Sequence, residues 1–249
     1  MNFEEKEPTD WSNDVSCRNC GDTGFTVKTV EGVSSATRCA CIAERRAGTL
    51  ESAAGIPKKY AGVTVDNYRI PQDNSTVMHA MQLLTMRTRR FATSFPSLHE
   101  PRGLLLQGPN GVGKTHLAVA ALRTILAAGF DGRFLWYQDL MRLIKDGFQQ
   151  NFASSSFTTA YNQLQDVDIL LIDDLGANRA TEFVEDSITE LIAYRYNHEK
   201  AMIVTTNYSL VEGATDYLGD RVGRRVVSRL HEMCMILECP AVPDYRKKT

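Results

Sequence analysis

No apolar run in this chain approaches the length of a membrane span. The first ten residues, MNFEEKEPTD, are acidic and lack the apolar core a signal peptide needs, so a cytoplasmic protein is expected. An excess of positive charge is missing too. Lys and Arg number 28 against 30 Asp and Glu, a formal net charge of −2, which excludes a basic coat for nucleic acid. Contact with a polyanion would have to come from local patches. Cysteine is scarce, six in all, and four of those crowd between positions 17 and 41. The rest is ordinary for a globular protein, 43% hydrophobic and 23% charged. A chain of 249 residues holds one large domain, or a core domain with an appendage.

The chain is organised around residues 103–121, GLLLQGPNGVGKTHLAVAA. Leu104-Leu105-Leu106 reads as a buried strand. Gly108, Pro109, Asn110, Gly111, Val112, Gly113, Lys114 and Thr115 then fill the pattern G-x-x-x-x-G-K-[ST]. His116 follows, and Leu117, Ala120, Ala121 and Ile125 recur at helical spacing. Glycines let the backbone curl with its N–H groups inward, an anion nest at a helix N-terminus. Lys114 would reach the β- and γ-phosphates and Thr115 would hold Mg²⁺. An ordinary glycine turn before a helix is the alternative, and the strand–loop–helix context disfavours it. A nucleoside triphosphate site is expected.

Upstream, Cys17-x-x-Cys20 is followed after eighteen residues by Cys39-x-Cys41. The segment between reads as a hairpin through Phe25, Val27 and Val30, turning near Glu31-Gly32. Four thiolates closing a hairpin suit a structural Zn²⁺ site. A disulfide pair is disfavoured in a cytosolic chain, and no thioredoxin-like βαβ unit surrounds a redox Cys-x-x-Cys. Cys234 and Cys239 lie in an apolar stretch and read as packing residues. Residues 42–55 form a short charged helix, followed by a turn-rich lead-in, Gly55-Ile56-Pro57 through Tyr68. Val77, Met81, Leu84, Phe91 and Phe95 mark a long amphipathic helix after Asn74. Arg87, Arg89 and Arg90 on it are a solvated face or a binding patch.

Beyond the glycine loop, Phe134–Tyr137 is the next strand, and Asp139 is expected to cap a helix running through Phe148. Ser154–Ser156 is a flexible break. A buried strand, Val167–Asp174, ends in two carboxylates: Asp173 to hold Mg²⁺, Asp174 to orient or deprotonate water. A helix over 181–198 leads to the strand Ala201–Thr206 and Asn207, which would position the lytic water or simply cap a turn. Arg221, Arg224, Arg225 and Arg229 cluster before a last strand, Met233–Leu237. Strands alternate with helices, so the sheet should be parallel and covered on both faces.

The set GPNGVGKTHLA, LLIDDLG, TTN and the arginine-rich segment before the last strand resembles the AAA+ ATPases, over about residues 55–249. It looks more narrowly like the bacterial and phage helicase loaders of the DnaC/DnaI type and their relative IstB. The lead-in GIPKKYAGVTVDNY and the helix DLMRLIKDGF match the loader pattern as well, and CRNCGDTGF…RCAC resembles its zinc-bearing helicase-binding module.

The resemblance implies an α/β AAA+ P-loop domain over 53–249 with a five-stranded parallel sheet. Only 42 residues follow Asn207, too few for a full helical lid. A four-cysteine zinc module over 1–52 precedes that domain. Lys114 and Thr115 become the Walker A pair, Asp173 and Asp174 the Walker B acids, Asn207 sensor 1 and Arg246 sensor 2. An arginine finger acting on a neighbour's nucleotide falls on Arg225 or Arg221. Most relatives carry Glu at the position of Asp174, and the shorter acid implies slow, switch-like hydrolysis. The implied partners are a replicative DnaB-type hexameric helicase, single-stranded DNA and further copies in the ATP state, with no membrane. Lys145 with Phe148, and Thr181 with Phe183, would meet the DNA, although Phe148 also fits the apolar face of its helix. A transposition helper, a P-loop kinase and a non-enzymatic zinc adaptor are the alternatives.

Overall fold

The computed structural model describes residues 17–30, 33–72, 74–97, 101–149 and 155–242. Residues 1–16, the Glu31-Gly32 turn, Ser154 and Arg246 lie outside them. The first elements are an antiparallel hairpin, β1 (Phe25–Val30) and β2 (Val33–Arg38), then α1 (Ala40–Ala53) and α2 (Ser75–Ser94). Next come β3 (Gly103–Gln107), α3 (Lys114–Ala127), β4 (Gly132–Trp136), α4 (Tyr137–Gln149) and α5 (Ser155–Asp166). The chain continues through β5 (Ile169–Asp173), α6 (Glu182–Asn197), β6 (Ala201–Thr206), α7 (Gly219–Val222), α8 (Arg224–Met233) and β7 (Cys234–Glu238).

The five later strands form one parallel sheet in the order β4-β5-β6-β3-β7. The apolar runs at 104–106, 169–173 and 201–206 are its central members, and their alternating side chains feed two separate cores. Leu105, Leu170, Ile172, Met202 and Val204 face α4, α6 and α8. Leu104, Leu106, Leu171 and Ile203 face α2 and α3. Both faces are therefore covered, as parallel pairing through helical crossovers requires. The order places β3 between β6 and β7, so the loop leaving β3 lies beside the end of β6.

Several boundaries differ from the sequence reading for local reasons. Trp136 ends β4, and helix α4 begins at Tyr137, so Asp139 is not the cap; it sits in the first helical turn and pairs with Arg142 at 3.1 Å. Helix α1 starts two residues early, directly after Cys39. Phe95 lies one residue beyond α2, whose start is fixed by Asn74 Oδ1 accepting from the Thr76 and Val77 N–H groups. Ser155 is the first residue of α5 rather than part of a break. Cys234 and Cys239 are buried, as packing residues should be.

Arg195 was invisible to sequence reasoning because it lies on an otherwise ordinary helix. It is fully buried in α6. Its guanidinium donates to the carbonyls of Leu164, Gln165, Val167, Asp168 and Ala201, tying the end of α5 to the starts of β5 and β6. Burial brings its pKa down to about 9. Replacing it leaves these buried acceptors unpaired. Arg195→Leu is expected to lower stability by about 3 kcal/mol in urea unfolding, with Arg195→Lys recovering only part of the loss.

Candidate nucleotide site

The loop between β3 and α3 folds as its glycines allow. Gly113 takes φ +89° just before the first helical residue. A Cβ there would stand 2.5 Å from Tyr68 Cε2, so the position needs glycine twice over. Lys114 is almost fully buried. Its Nζ donates to Gly108 O and Pro109 O, both at 2.8 Å, and to Asn207 Oδ1 at 2.6 Å. The ammonium thus bridges the glycine loop and the end of β6, an arrangement the sheet order makes possible.

Across the loop, Thr115 Oγ1 donates to Asp173 Oδ2 at 3.1 Å and Thr205 Oγ1 to Asp173 Oδ1 at 2.6 Å. Burial pushes Asp173 up to about 6; the Thr205 hydrogen bond opposes the rise and the Asp174 charge adds to it. A buried carboxylate beside a threonine hydroxyl is a donor set suited to a hard divalent cation. Asp174 ends β5 by turning to φ +56°, with its N–H donated to Thr205 Oγ1 at 2.9 Å. That turn aims its carboxylate toward Asn207 Nδ2, 3.5 Å away. The structure therefore gathers Lys114, Thr115, Asp173, Asp174 and Asn207 at the C-terminal edge of the sheet, where open α/β sheets bind ligands.

A cleft of about 360 Å³ opens over the loop. Its other wall is the lead-in segment: Tyr60, Asn67, Tyr68 and Arg69 face Asn110, Gly111, Thr115 and His116. Tyr68 Oη donates to Val112 O at 2.6 Å, and its ring stands 5.4 Å from that of His116. Burial lowers the pKa of His116, whose Nε2 pairs with Thr64 O at 2.9 Å. Arg89, which the sequence left as a solvated face or a patch, clamps the same segment through Asp66 at 2.5 and 3.2 Å. This wall was missed in the sequence because aromatics in an irregular segment carry no periodicity. The tyrosines at 60 and 68, flanking a turn ahead of the glycine loop, were the available signal.

The remaining candidates separate. Arg221 is engaged inside its own subunit, donating to Gly176 O and, at 3.1 Å, to Ala177 O. Arg225 is exposed on α8, with no side-chain partner among the described residues, and Arg229 lies one turn on. Phe148 is exposed, and its ring packs on Phe183 with centroids 4.5 Å apart. Lys145 lies one helical turn before Phe148 and lines an open groove with Arg142, Asn178 and Arg179. Thr181 occupies the N-cap position of α6 without a side-chain cap bond.

At the other end of the chain, the Sγ atoms of Cys17, Cys20, Cys39 and Cys41 lie within 4.8 Å of one another. The Cys17–Cys39 and Cys20–Cys41 pairs are 3.7 and 3.4 Å apart. A tetrahedral thiolate site with bonds of about 2.3 Å sets such separations near ~3.8 Å, so the cluster fits a metal of that kind. Burial alone would raise Cys20, but hydrogen bonds from Cys41, the Gly24 backbone and the other two thiols bring it to about 7.

Residues 72–249 match the family model for IstB-like ATP-binding proteins. Among curated proteins, the phage-like element PBSX protein XkdC of Bacillus subtilis is 25% identical over 228 residues, covering 88% of this chain and 79% of that protein. The replicative helicase loader DnaC of Escherichia coli K12 is 26% identical over 172 residues; these span 69% of this chain and 66% of the loader's length. A crystal structure of the DnaC helicase loader superposes with a TM-score of 0.62 at 31% identity, covering 73% of this chain and 99% of that one. No described helix is long and apolar enough to cross a membrane.

Desolvating Asp173 is a cost that its amide would not carry. Asp173→Asn is expected to raise the stability of the nucleotide-free protein by about 3 kcal/mol, from a shift of some two pKa units. The same change should reduce Mg²⁺-dependent hydrolysis at least ~100-fold, the scale of losing one charge-stabilising group. Urea unfolding without nucleotide and a phosphate-release assay check the two halves.

Proposed function

The chain belongs to the IstB-like ATP-binding proteins, AAA+ ATPases akin to the DnaC and DnaI helicase loaders, and from that premise we propose that it loads a replicative helicase onto single-stranded DNA. Mg²⁺ with ATP would supply the charge that Lys114, Thr115 and Asp173 are placed to hold. Asn207 and Asp174 then face the γ-phosphate side, where a water can be oriented and its proton accepted. Asp174 carries a shorter arm than glutamate, which makes hydrolysis slow and switch-like. Tyr60, Tyr68 and Arg69 take the base and ribose end. The trans arginine comes from the exposed face of α8, with Arg225 leading and Arg229 one turn behind. Arg246, outside the described residues, takes the sensor 2 role by the family pattern alone.

One observation carries the loader reading: the helix that leaves the cysteine cluster is docked on the nucleotide-binding helix. The Arg123 guanidinium of α3 pairs with Glu51 of α1 at 2.9 Å. Ala54 is fully buried, its carbonyl accepts from Phe134 N–H at 2.7 Å, and Arg133 donates to Ala53 O. This docking supports a Zn²⁺-closed module over residues 1–52 that grips the helicase and is coupled to the ATPase domain over 53–249. Single-stranded DNA stacks on Phe148 and Phe183, beside Lys145 and Thr181. Copies assemble in the ATP form and separate after hydrolysis, in the cytoplasm. The family's IstB-like name keeps a second reading in view, a transposition helper that would favour duplex DNA.

Four outcomes are expected from the purified chain and its variants. The parent preparation contains one zinc per chain, and chelation abolishes capture of a hexameric helicase by an immobilised chain. Single-stranded DNA outcompetes duplex, and Phe148→Ala weakens its binding about tenfold, the scale of one lost stacking contact. Lys114→Ala abolishes ATP-dependent assembly. Hydrolysis lost in Arg225→Ala returns on mixing with Lys114→Ala subunits, because each variant supplies what the other lacks. Preference for duplex DNA with no helicase capture would support the transposition helper instead.

A further inference from the structure

Arg221 has a cis position that a trans finger does not explain. Its Nε donates to Gly176 O and its Nη2 to Ala177 O at 3.1 Å, while the guanidinium lies 4.2 Å over the Tyr208 ring. The backbone closes the same connection from the other side, Arg221 O accepting from Ala180 N–H at 3.1 Å. The loop leaving Asp174 is therefore strapped to α7 at both ends. A Cβ at Gly176 would stand 2.6 Å from Leu218 Cδ1, so the loop sits hard against the residue preceding α7.

The strapped loop joins two sites. Upstream, Leu175 N–H donates to Thr205 O at 2.8 Å and Leu175 O accepts from Thr206 Oγ1 at 2.9 Å, next to Asn207 and Asp174. Tyr208, under the guanidinium, directly follows Asn207. Downstream, the loop delivers Thr181 and Phe183, whose ring carries Phe148. Fully buried Tyr137, whose hydroxyl has no partner among the described residues, feels the charges of Arg221 and Glu185.

We propose that Arg221 is a positioning residue, a strap that ties the loop 174–181 to α7 and transmits the state of the nucleotide site to the Phe148–Phe183 surface. It extends the loader reading, on which the DNA half of the proposal rests. The guanidinium matters for its fork: two adjacent carbonyls and one ring face are held together, which an ammonium cannot do. Opening the strap would leave nucleotide and DNA each bound, but no longer in communication.

The test uses the full chain and the variants Arg221→Met, Arg221→Lys and Tyr208→Leu. A fluorescein-labelled oligo(dT) reports DNA affinity with Mg²⁺ and ATPγS against ADP, and a fluorescent ATP analogue reports nucleotide affinity. In the parent chain ATPγS is expected to tighten DNA binding about tenfold, a usual size for coupled sites. Arg221→Met and Arg221→Lys should bring that ratio to within about twofold of unity and keep nucleotide affinity within about threefold, since neither ligand is lost. Tyr208→Leu should weaken the ratio in the same direction. Amide exchange over 175–181 should quicken in both arginine variants. Hydrolysis lost in Arg221→Met should not return on mixing with Lys114→Ala. Return of hydrolysis on mixing, or unchanged exchange over 175–181, overturns the strap. If the parent chain binds oligo(dT) equally in both nucleotides, the loader reading fails, while the exchange and mixing results still decide the strap.

Discussion

A buried ammonium held by three amide oxygens is the constraint on which this structure turns. Lys114 Nζ is kept from solvent and accepted by Gly108 O, Pro109 O and Asn207 Oδ1. Neutral carbonyls only partly replace the hydration of a cation, so a full negative charge nearby is strongly favoured. The opposite strain lies across the loop, where Asp173 is buried with two hydroxyl donors and a pKa near 6. Each charge is positioned by its own set of neutral partners. The site is therefore organised for a ligand that carries a polyanion and a cation together, and a metal-bound triphosphate is such a ligand.

That arrangement depends on the sheet order more than on any single loop. Because β3 sits between β6 and β7, the glycine loop emerges beside Asn207; because β5 flanks β6, the acids emerge on the other side. Parallel pairing puts all of these ends on one edge. Thr205 makes the junction between neighbours, with its hydroxyl donating to Asp173 and accepting from the Asp174 N–H. A β-branched residue deep in a central strand thus serves packing and site geometry at once. Arg195 does comparable work at the opposite edge, holding the starts of β5 and β6 so that their ends stay in register.

How much of this the sequence disclosed follows from how each feature is encoded. The glycine loop, the acids and Asn207 were legible because their chemistry imposes fixed spacing and each lies at the end of an apolar run. The five strands were legible for the same reason. Boundaries failed where a residue satisfies two patterns: Tyr137 is strand-like in composition, yet it opens α4 and leaves Asp139 inside the helix. The wall formed by Tyr60, Asn67, Tyr68 and Arg69 was not legible as a site, since it is assembled from an irregular segment by contacts with α3. Nor was the placement of Arg221. A cluster of arginines announces charge, and only the fold shows which of them reaches back into its own subunit.

The division among those arginines has a mechanical consequence. Arg221 is anchored to the loop behind the acids, while Arg224 is tied to Glu212 at the surface, at 2.8 Å, and Arg225 projects from the exposed side of α8. Helices α7 and α8 follow one another with only Gly223 between them, so a force on the outer arginines acts on the strap through a very short lever. On the far side of the glycine loop, α3 carries Arg123, which holds α1 through Glu51 and the lead-in through Val63 O at 3.0 Å. The glycine loop therefore lies between two connections, one running through α7 to the arginines of α8 and the other through Arg123 and α1 toward the cysteine cluster. Neither passes through the sheet, which is packed on both faces and has little room to deform. The proposed coupling is therefore confined to the ligand-binding edge, where Tyr60 and Tyr68 line the cleft and Arg221 holds the loop behind the acids.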